Sequence, residues 1–249
     1  MIPASPRVDR MARLALAHWK SYALDAILPR ACVLCDVRGK PLCDACRGEA
    51  TGRLATACPR CAIPLGASDG PRLCGHCLAH APAFDASLAA AAYEAPFDAL
   101  IRGLKYSARL AYAPLFADLL HERVAAHRFR IDVLIPVPLS RDRMAARGFN
   151  QSIEIARPLA SRMRTRLDTA SVLRIRDTPP QAALPFDARR KNIRGAFAVI
   201  DSRVAMLEGS TVGVVDDVMT TGSTLDEMAA TLKRAGVERV VNLVVARTP

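Results

Sequence analysis

Aromatic side chains are scarce in this chain, with one Trp, four Tyr and seven Phe among 249 residues. A surface that grips single strands by base stacking needs several such rings, so a stand-alone single-strand binder fits poorly. No stretch approaches the roughly 18 consecutive apolar residues of a membrane span, and none is expected. Gly-Lys-Ser and Gly-Lys-Thr are absent, which excludes a P-loop. The glycine-rich dinucleotide fingerprint is missing too: the one strand–turn–helix junction with suitable chemistry holds a single glycine, Gly222.

No cysteine stands alone. All eight fall in Cys-x-x-Cys pairs: Cys32/Cys35, Cys43/Cys46, Cys58/Cys61 and Cys74/Cys77. Each pair is a knuckle that presents two thiolates to one tetrahedral metal, and two knuckles complete a closed Cys₄ site. Eight thiolates therefore predict two zinc ions, both structural. Pro59, Pro64, Gly66, Gly70, Pro71 and Gly75 supply the tight turns such ribbons require. Sequential pairing of knuckles is the default, and spacing alone leaves interleaved pairing open. His76, inside the fourth knuckle, reads as a bystander because cysteines already fill both sites. A disulfide framework is the competing account, and it needs an oxidising compartment. The first thirty residues are partly apolar, but His18, Lys20 and Asp25 interrupt any signal-peptide core. Val8 to Leu28 reads as a docking helix ended by Pro29, and a cytoplasmic location is expected.

Charge is unbalanced. Lys and Arg number 35 against 24 Asp and Glu, a net +11. Arg141 to Arg194 holds thirteen basic and five acidic residues, so that stretch alone carries +8. An arginine-rich surface attracts phosphates, on a diphosphate or on a nucleic acid.

The most informative segment is Val212 to Thr224. Val212 to Val215 reads as a strand buried on both faces, the condition of a central parallel strand. It ends in adjacent carboxylates, Asp216 and Asp217. A hydroxyl-rich turn follows (Thr220, Thr221, Gly222, Ser223, Thr224), then a helix with Leu225, Met228, Ala229, Leu232 and Ala235 on one stripe and Gly236 as its stop. Such a turn at a helix N-terminus offers unpaired N–H groups and the positive end of the dipole to a phosphate. Two carboxylates before it suit sugar hydroxyls or a Mg²⁺-bound polyol. The bland alternative is that Ser223 or Thr224 merely caps the helix.

Three other segments carry chemistry. After the strand Val133–Val137 come Pro138, Arg141, Arg143 and Arg147, then Asn150, Gln151 and Ser152. The arginines form a plausible diphosphate cradle, and the polar trio can cap the next helix. Thr178 to Asn192 is a long loop rich in Pro and charge that reads as a lid, from which Gln181, Arg189, Arg190 and Asn192 could reach an anion. Lys105, near the end of a helix over 96–105, could reach phosphate or sit in solvent.

Strands are expected at 87–93, 133–137, 172–175, 211–216 and 239–246. Helices are expected at 96–105, 114–127 and 151–164, the last kinked at Pro158 or truly starting there. This alternation predicts an α/β parallel sheet with ligands at the carboxyl ends of its strands. Residues 1–30 would be the docking helix, 31–80 a double zinc ribbon, and 84–249 the α/β domain, with the two functions lying in separate domains.

Val214-Val215-Asp216-Asp217-Val218-Met219-Thr220-Thr221-Gly222-Ser223-Thr224 closely resembles the phosphoribosyl-pyrophosphate (PRPP) signature of type I phosphoribosyltransferases. That resemblance implies that Asp216 and Asp217 hold the ribose hydroxyls of Mg²⁺-bound PRPP, and that Thr220 to Thr224 wrap its 5′-phosphate. It also implies helices on both faces of the sheet. Together with the four cysteine pairs, Leu104-Lys105-Tyr106, Arg147-Gly148-Phe149-Asn150-Gln151 and Gln181 with Arg189 and Asn192, the chain is similar to the ComF family (ComFC/GntX-like proteins). The family implies DNA uptake in natural transformation or use of imported DNA, and a helicase of the competence machinery as a partner. Two readings follow: a pentosyltransferase acting on PRPP, or a non-enzymatic module that holds single-stranded DNA on the same fold.

Overall fold

The structure, a computed structural model, describes residues 31–54, 56–66, 72–176 and 193–249. The docking helix expected over Val8–Leu28 and the lid over Thr178–Asn192, including Gln181 and Arg189, lie outside the described residues. The chain forms two compact units that divide between Arg47 and Gly48.

In the smaller unit the Cys32–Cys35 knuckle closes on itself, with the Asp36 N–H donating to the Cys32 carbonyl at 2.9 Å. Asp36 takes a left-handed φ of 57°. Helix α1 (Asp44–Gly52) begins between the two cysteines of the second knuckle.

The larger unit opens with the other two knuckles and a one-turn helix, α2 (Gly75–Ala79). Then come β1 (Ala86–Ala92), α3 (Phe97–Ser107), α4 (Tyr112–His127), β2 (Val133–Pro136), α5 (Arg141–Arg147) and α6 (Gln151–Met163). They are followed by β3 (Arg166–Leu167), β4 (Val172–Arg174), β5 (Phe197–Val199), a 3₁₀ turn (Asp201–Met206), β6 (Thr211–Met219), α7 (Ser223–Arg234) and β7 (Arg239–Arg247). Five strands make one parallel sheet in the order β1-β7-β6-β2-β3. β6 is its central strand, as the unbroken apolar run Val212–Val215 predicted, and Val212, Val214 and Val215 are fully buried.

Side chains alternate across this sheet. Val212, Val214, Val240 and Val244 share a core with Leu225, Met228, Ala229 and Leu232 of α7, so that helix covers one face. Helices α4 and α6 pack on each other and on the sheet, α4 on β1 and β7 and α6 on β6 and β2. The expected parallel α/β sheet with helices on both faces is what forms. The same core takes in Leu54, Cys58, Cys61, Cys77 and Phe84, so the second cysteine cluster is built into it.

Some local expectations change. The strand expected at 172–175 leaves the parallel sheet: β4 pairs antiparallel with β5 in a separate two-stranded ribbon. Its Leu173 is 47% exposed, so it lacks the two buried faces that a central parallel strand requires. Helix α6 runs from Gln151 with Pro158 in its interior, so Pro158 does not mark its start. Arg141–Arg147 is a short helix rather than a loop. Strand β6 extends three residues past Asp216, to Met219, because Val218 and Met219 still pair with Ala246 and Arg247 of β7.

Candidate functional site

Ligands of parallel α/β sheets bind beyond the carboxyl ends of the strands, and the acid pair stands there on the central strand. Asp216 and Asp217 are neighbours in an extended chain, so they leave opposite faces of β6 and meet different partners. Asp216, half-buried, accepts from the Ser152 hydroxyl at 3.0 Å and from the Asp217 N–H at 2.9 Å. Asp217 is buried, at 4% exposure. Its Oδ1 accepts from the Val218 N–H at 2.7 Å, and its Oδ2 meets the Lys105 ammonium at 3.0 Å. Among the described residues that Oδ2 has no other partner.

The electrostatics follow from this packing. Burial pushes the Asp216 carboxyl up to about 7, and the Asp217 charge adds to the effect, against Lys105, the Asp217 N–H and Ser152. Burial also works against the Lys105 ammonium, but Asp217 and then Asp216 outweigh it, and its pKa is raised. Two carboxylates and one ammonium thus form a linked triad. Removing one partner of a buried pair typically costs about 3–5 kcal/mol, because the other charge is left uncompensated.

The turn after β6 is shaped by Gly222. Its φ of 81° is left-handed, and a Cβ there would lie 2.7 Å from Met219 Cε. Gly222 is also the N-cap of α7, with no side-chain capping bond. Neither Ser223 nor Thr224 caps the helix. The Thr221 and Ser223 hydroxyls meet at 2.9 Å. Thr221 Oγ1 accepts from the Ser223 N–H at 3.4 Å, and the other first-turn N–H groups of this twelve-residue helix, with its positive dipole end, are of the kind that suits an anion.

Other expected residues take varied places. Lys105, projecting from α3, pairs with Asp217. Arg147 donates to the Gln151 side chain and lies 5.7 Å from the Tyr106 ring centroid. Asn150 is buried, caps α6 by accepting from the Ser152 N–H, and donates to the Val137 carbonyl at 2.9 Å. Arg141 and Arg143 lie on α5, Arg141 exposed and Arg143 half-buried. Ser152 was read only as a cap, yet its hydroxyl reaches Asp216. That contact depends on β2 pairing with β6, which brings the segments following the two strands to one place. Arg247 was missed altogether. It is buried at the end of β7, beside the turn.

The cysteines form two groups of four, Cys32/Cys35/Cys43/Cys46 and Cys58/Cys61/Cys74/Cys77, with all sulfurs of a group within 4.8 Å of one another. Pairing is therefore sequential, and interleaving is excluded. Sulfur–sulfur distances of 3.6 Å occur in each group. A tetrahedral site with Zn–S near 2.3 Å places sulfurs about 3.8 Å apart, whereas a disulfide needs about 2.05 Å. All eight cysteines are free of disulfides. These are two zinc-binding clusters.

The class defined is a phosphoribosyltransferase-type α/β domain joined to a double zinc ribbon. Residues 23–78 match the double zinc ribbon domain family and residues 150–249 the phosphoribosyl transferase domain family. The chain is 34% identical over 212 residues to the DNA utilization protein YhgH of Escherichia coli K12, covering 83% of this chain and 90% of that protein. It is 31% identical over 172 residues to Competence protein F of Haemophilus influenzae, covering 67% of this chain and 75% of the relative. The solved allosteric regulatory enzyme of purine biosynthesis aligns at 20% identity and a TM-score of 0.37, over 54% of this chain and 25% of that one. The chain belongs to the ComF family. Among the described residues, no helix is long and apolar enough to cross a membrane.

Proposed function

We propose that this protein binds PRPP with Mg²⁺ and transfers its phosphoribosyl group, in the use of imported DNA. One observation carries the reading: an acid pair on the central strand, Asp216 half-buried and Asp217 buried, leads into a hydroxyl-rich turn at a helix N-terminus. The acids accept from ribose hydroxyls, while the Thr220–Thr224 turn donates to the 5′-phosphate. Asp217 Oδ2, paired with Lys105 alone among the described residues, and the half-buried Asp216 form a hard-oxygen acceptor set that suits a Mg²⁺-bound polyol. When bound, Mg²⁺ would neutralise charge on the diphosphate.

The chain's own residues divide the remaining work. Lys105 neutralises Asp217 and supplies a cation for charge developing on a departing diphosphate. Ser152 orients Asp216. The arginines of α5, Arg141, Arg143 and Arg147, remain candidates for the diphosphate, as do Gln181 and Arg189. The names of the relatives, DNA utilization and competence, support a role in handling imported DNA.

Asp217→Asn tests the proposal. It keeps size and removes the charge, and losing a charge-assisted hydrogen bond costs about 1.5–3 kcal/mol. Calorimetry should show PRPP affinity falling roughly 10-fold to 100-fold. Wild-type protein that ignores PRPP but holds single-stranded DNA would replace the enzyme reading with the binding-module one.

A further inference from the structure

Arg247 is 5% exposed, yet among the described residues no carboxylate lies within ion-pair distance of it. A buried guanidinium without a counter-charge is costly. Its hydrogen bonds run instead to carbonyls on two sides. Nε donates to the Cys61 carbonyl at 3.0 Å, inside the second cysteine cluster. Nη1 donates to the Met219 carbonyl at 3.2 Å and to the Thr220 carbonyl at 2.5 Å, at the head of the turn. Thr248 completes the set, its carbonyl and its hydroxyl (3.1 Å) both accepting from Nη1. One planar fork therefore joins a zinc knuckle to the turn.

Two physical consequences follow. A Zn²⁺ ion with four thiolates carries a net charge of −2, so the metallated second cluster supplies the negative charge that Arg247 lacks. Also, a peptide unit is planar and trans, so fixing the Thr220 carbonyl fixes the direction of the Thr221 N–H on the other side of that plane. Fixing the Met219 carbonyl does the same for the Thr220 N–H. Arg247 thereby aims the first donors of the turn.

We infer that Arg247 is a positioning residue through which zinc in the second cluster sets the affinity of the Thr220–Thr224 turn for a phosphorylated sugar. Of the eight cysteines, Cys61 of the second cluster is the one whose carbonyl Arg247 meets. This inference rests on the reading of that turn as the phosphate site. It departs from the independence of ribbon and transferase functions that the sequence suggested.

Linkage supplies a test on the unaltered protein, because coupling between two sites is reciprocal. Zinc is partitioned to equilibrium between the protein and a chromophoric chelator, with and without saturating ribose 5-phosphate. One zinc per chain should be held roughly tenfold more tightly with the sugar phosphate present, and the other with unchanged affinity. In Arg247→Lys, which keeps the charge but cannot span both carbonyls, ribose 5-phosphate should bind about tenfold more weakly. The ligand should then no longer protect zinc. Binding without protection of either zinc in the wild type overturns the inference alone. Absence of binding to ribose 5-phosphate and PRPP alike overturns it together with the phosphate-site reading.

Discussion

The two cysteine clusters have the same ligands, the same Cys-x-x-Cys spacing and equally close sulfurs, yet their surroundings differ. In the first, Cys35 is exposed, Cys43 and Cys46 are half-buried and only Cys32 is buried. Its neighbourhood includes the solvent-exposed Lys40–Asp44 ion pair. In the second, Cys58, Cys61 and Cys77 are buried among Leu54, Phe84, Val214 and Leu225. The motif fixes which metal binds; the burial of the knuckles decides what metal binding holds in place. In the first cluster that is a short chain segment. In the second it is part of the core that also carries the sheet and the residues flanking the Thr220–Thr224 turn.

Serine substitutions should expose this asymmetry most strongly. Structural zinc is worth about 10–16 kcal/mol in small peptides, and in the second cluster its loss also disturbs a shared core. Cys58→Ser with Cys61→Ser should lower the melting temperature of the larger unit by more than about 10 °C. Cys43→Ser with Cys46→Ser should move that transition by less than about 3 °C, since those residues lie outside the core. Equal shifts in calorimetry would erase the distinction. Either pair should reduce bound zinc from two ions to one.

Metal removal gives a kinetic form of the same comparison. A chelator reaches the exposed first cluster directly, whereas the second must open part of the core, and opening free energies vary across a fold. An opening that costs about 3 kcal/mol more slows release roughly a hundredfold. Two phases of equal amplitude are expected, and the Cys43→Ser/Cys46→Ser protein should keep only the slow one. A single phase in wild type would count against the difference in burial.

How much of this was legible without coordinates depends on the range of each interaction. The cysteine pairs and Val212–Thr224 are local, so their order along the chain specifies their chemistry. Pairing of knuckles, by contrast, required coordinates, because the spacing fits either arrangement. Lys105 was singled out, but its pairing with Asp217 joins residues 112 positions apart, on a helix and a strand that the sequence does not place together. Ser152 meets Asp216 only because β2 lies beside β6. Arg247 had no sequence signal, since an arginine ending an apolar strand usually points to solvent. Here β7 ends beside a cysteine knuckle, and the side chain turns inward.

The acid pair supplies the smallest effect, and it bounds how far the second cluster reaches. Asp216 titrates near 7, chiefly because of burial and secondly because of Asp217. On the proposed reading its ionised form accepts from ribose hydroxyls, so affinity for PRPP should grow as pH rises. With a pKa near 7 the ionised fraction climbs about tenfold between pH 6 and pH 8. Ligand phosphate titrates near pH 6, so Asp216→Asn is the necessary control: it should remove the component centred near 7 and leave the phosphate component. Arg247 contacts the head of the turn and not the carboxylates. Arg247→Lys should therefore lower affinity at every pH without moving the midpoint, and loss of the first cluster should change neither. A midpoint shifted by Arg247→Lys would mean that the second cluster acts on the acid pair as well, and the coupling would then extend across the whole site.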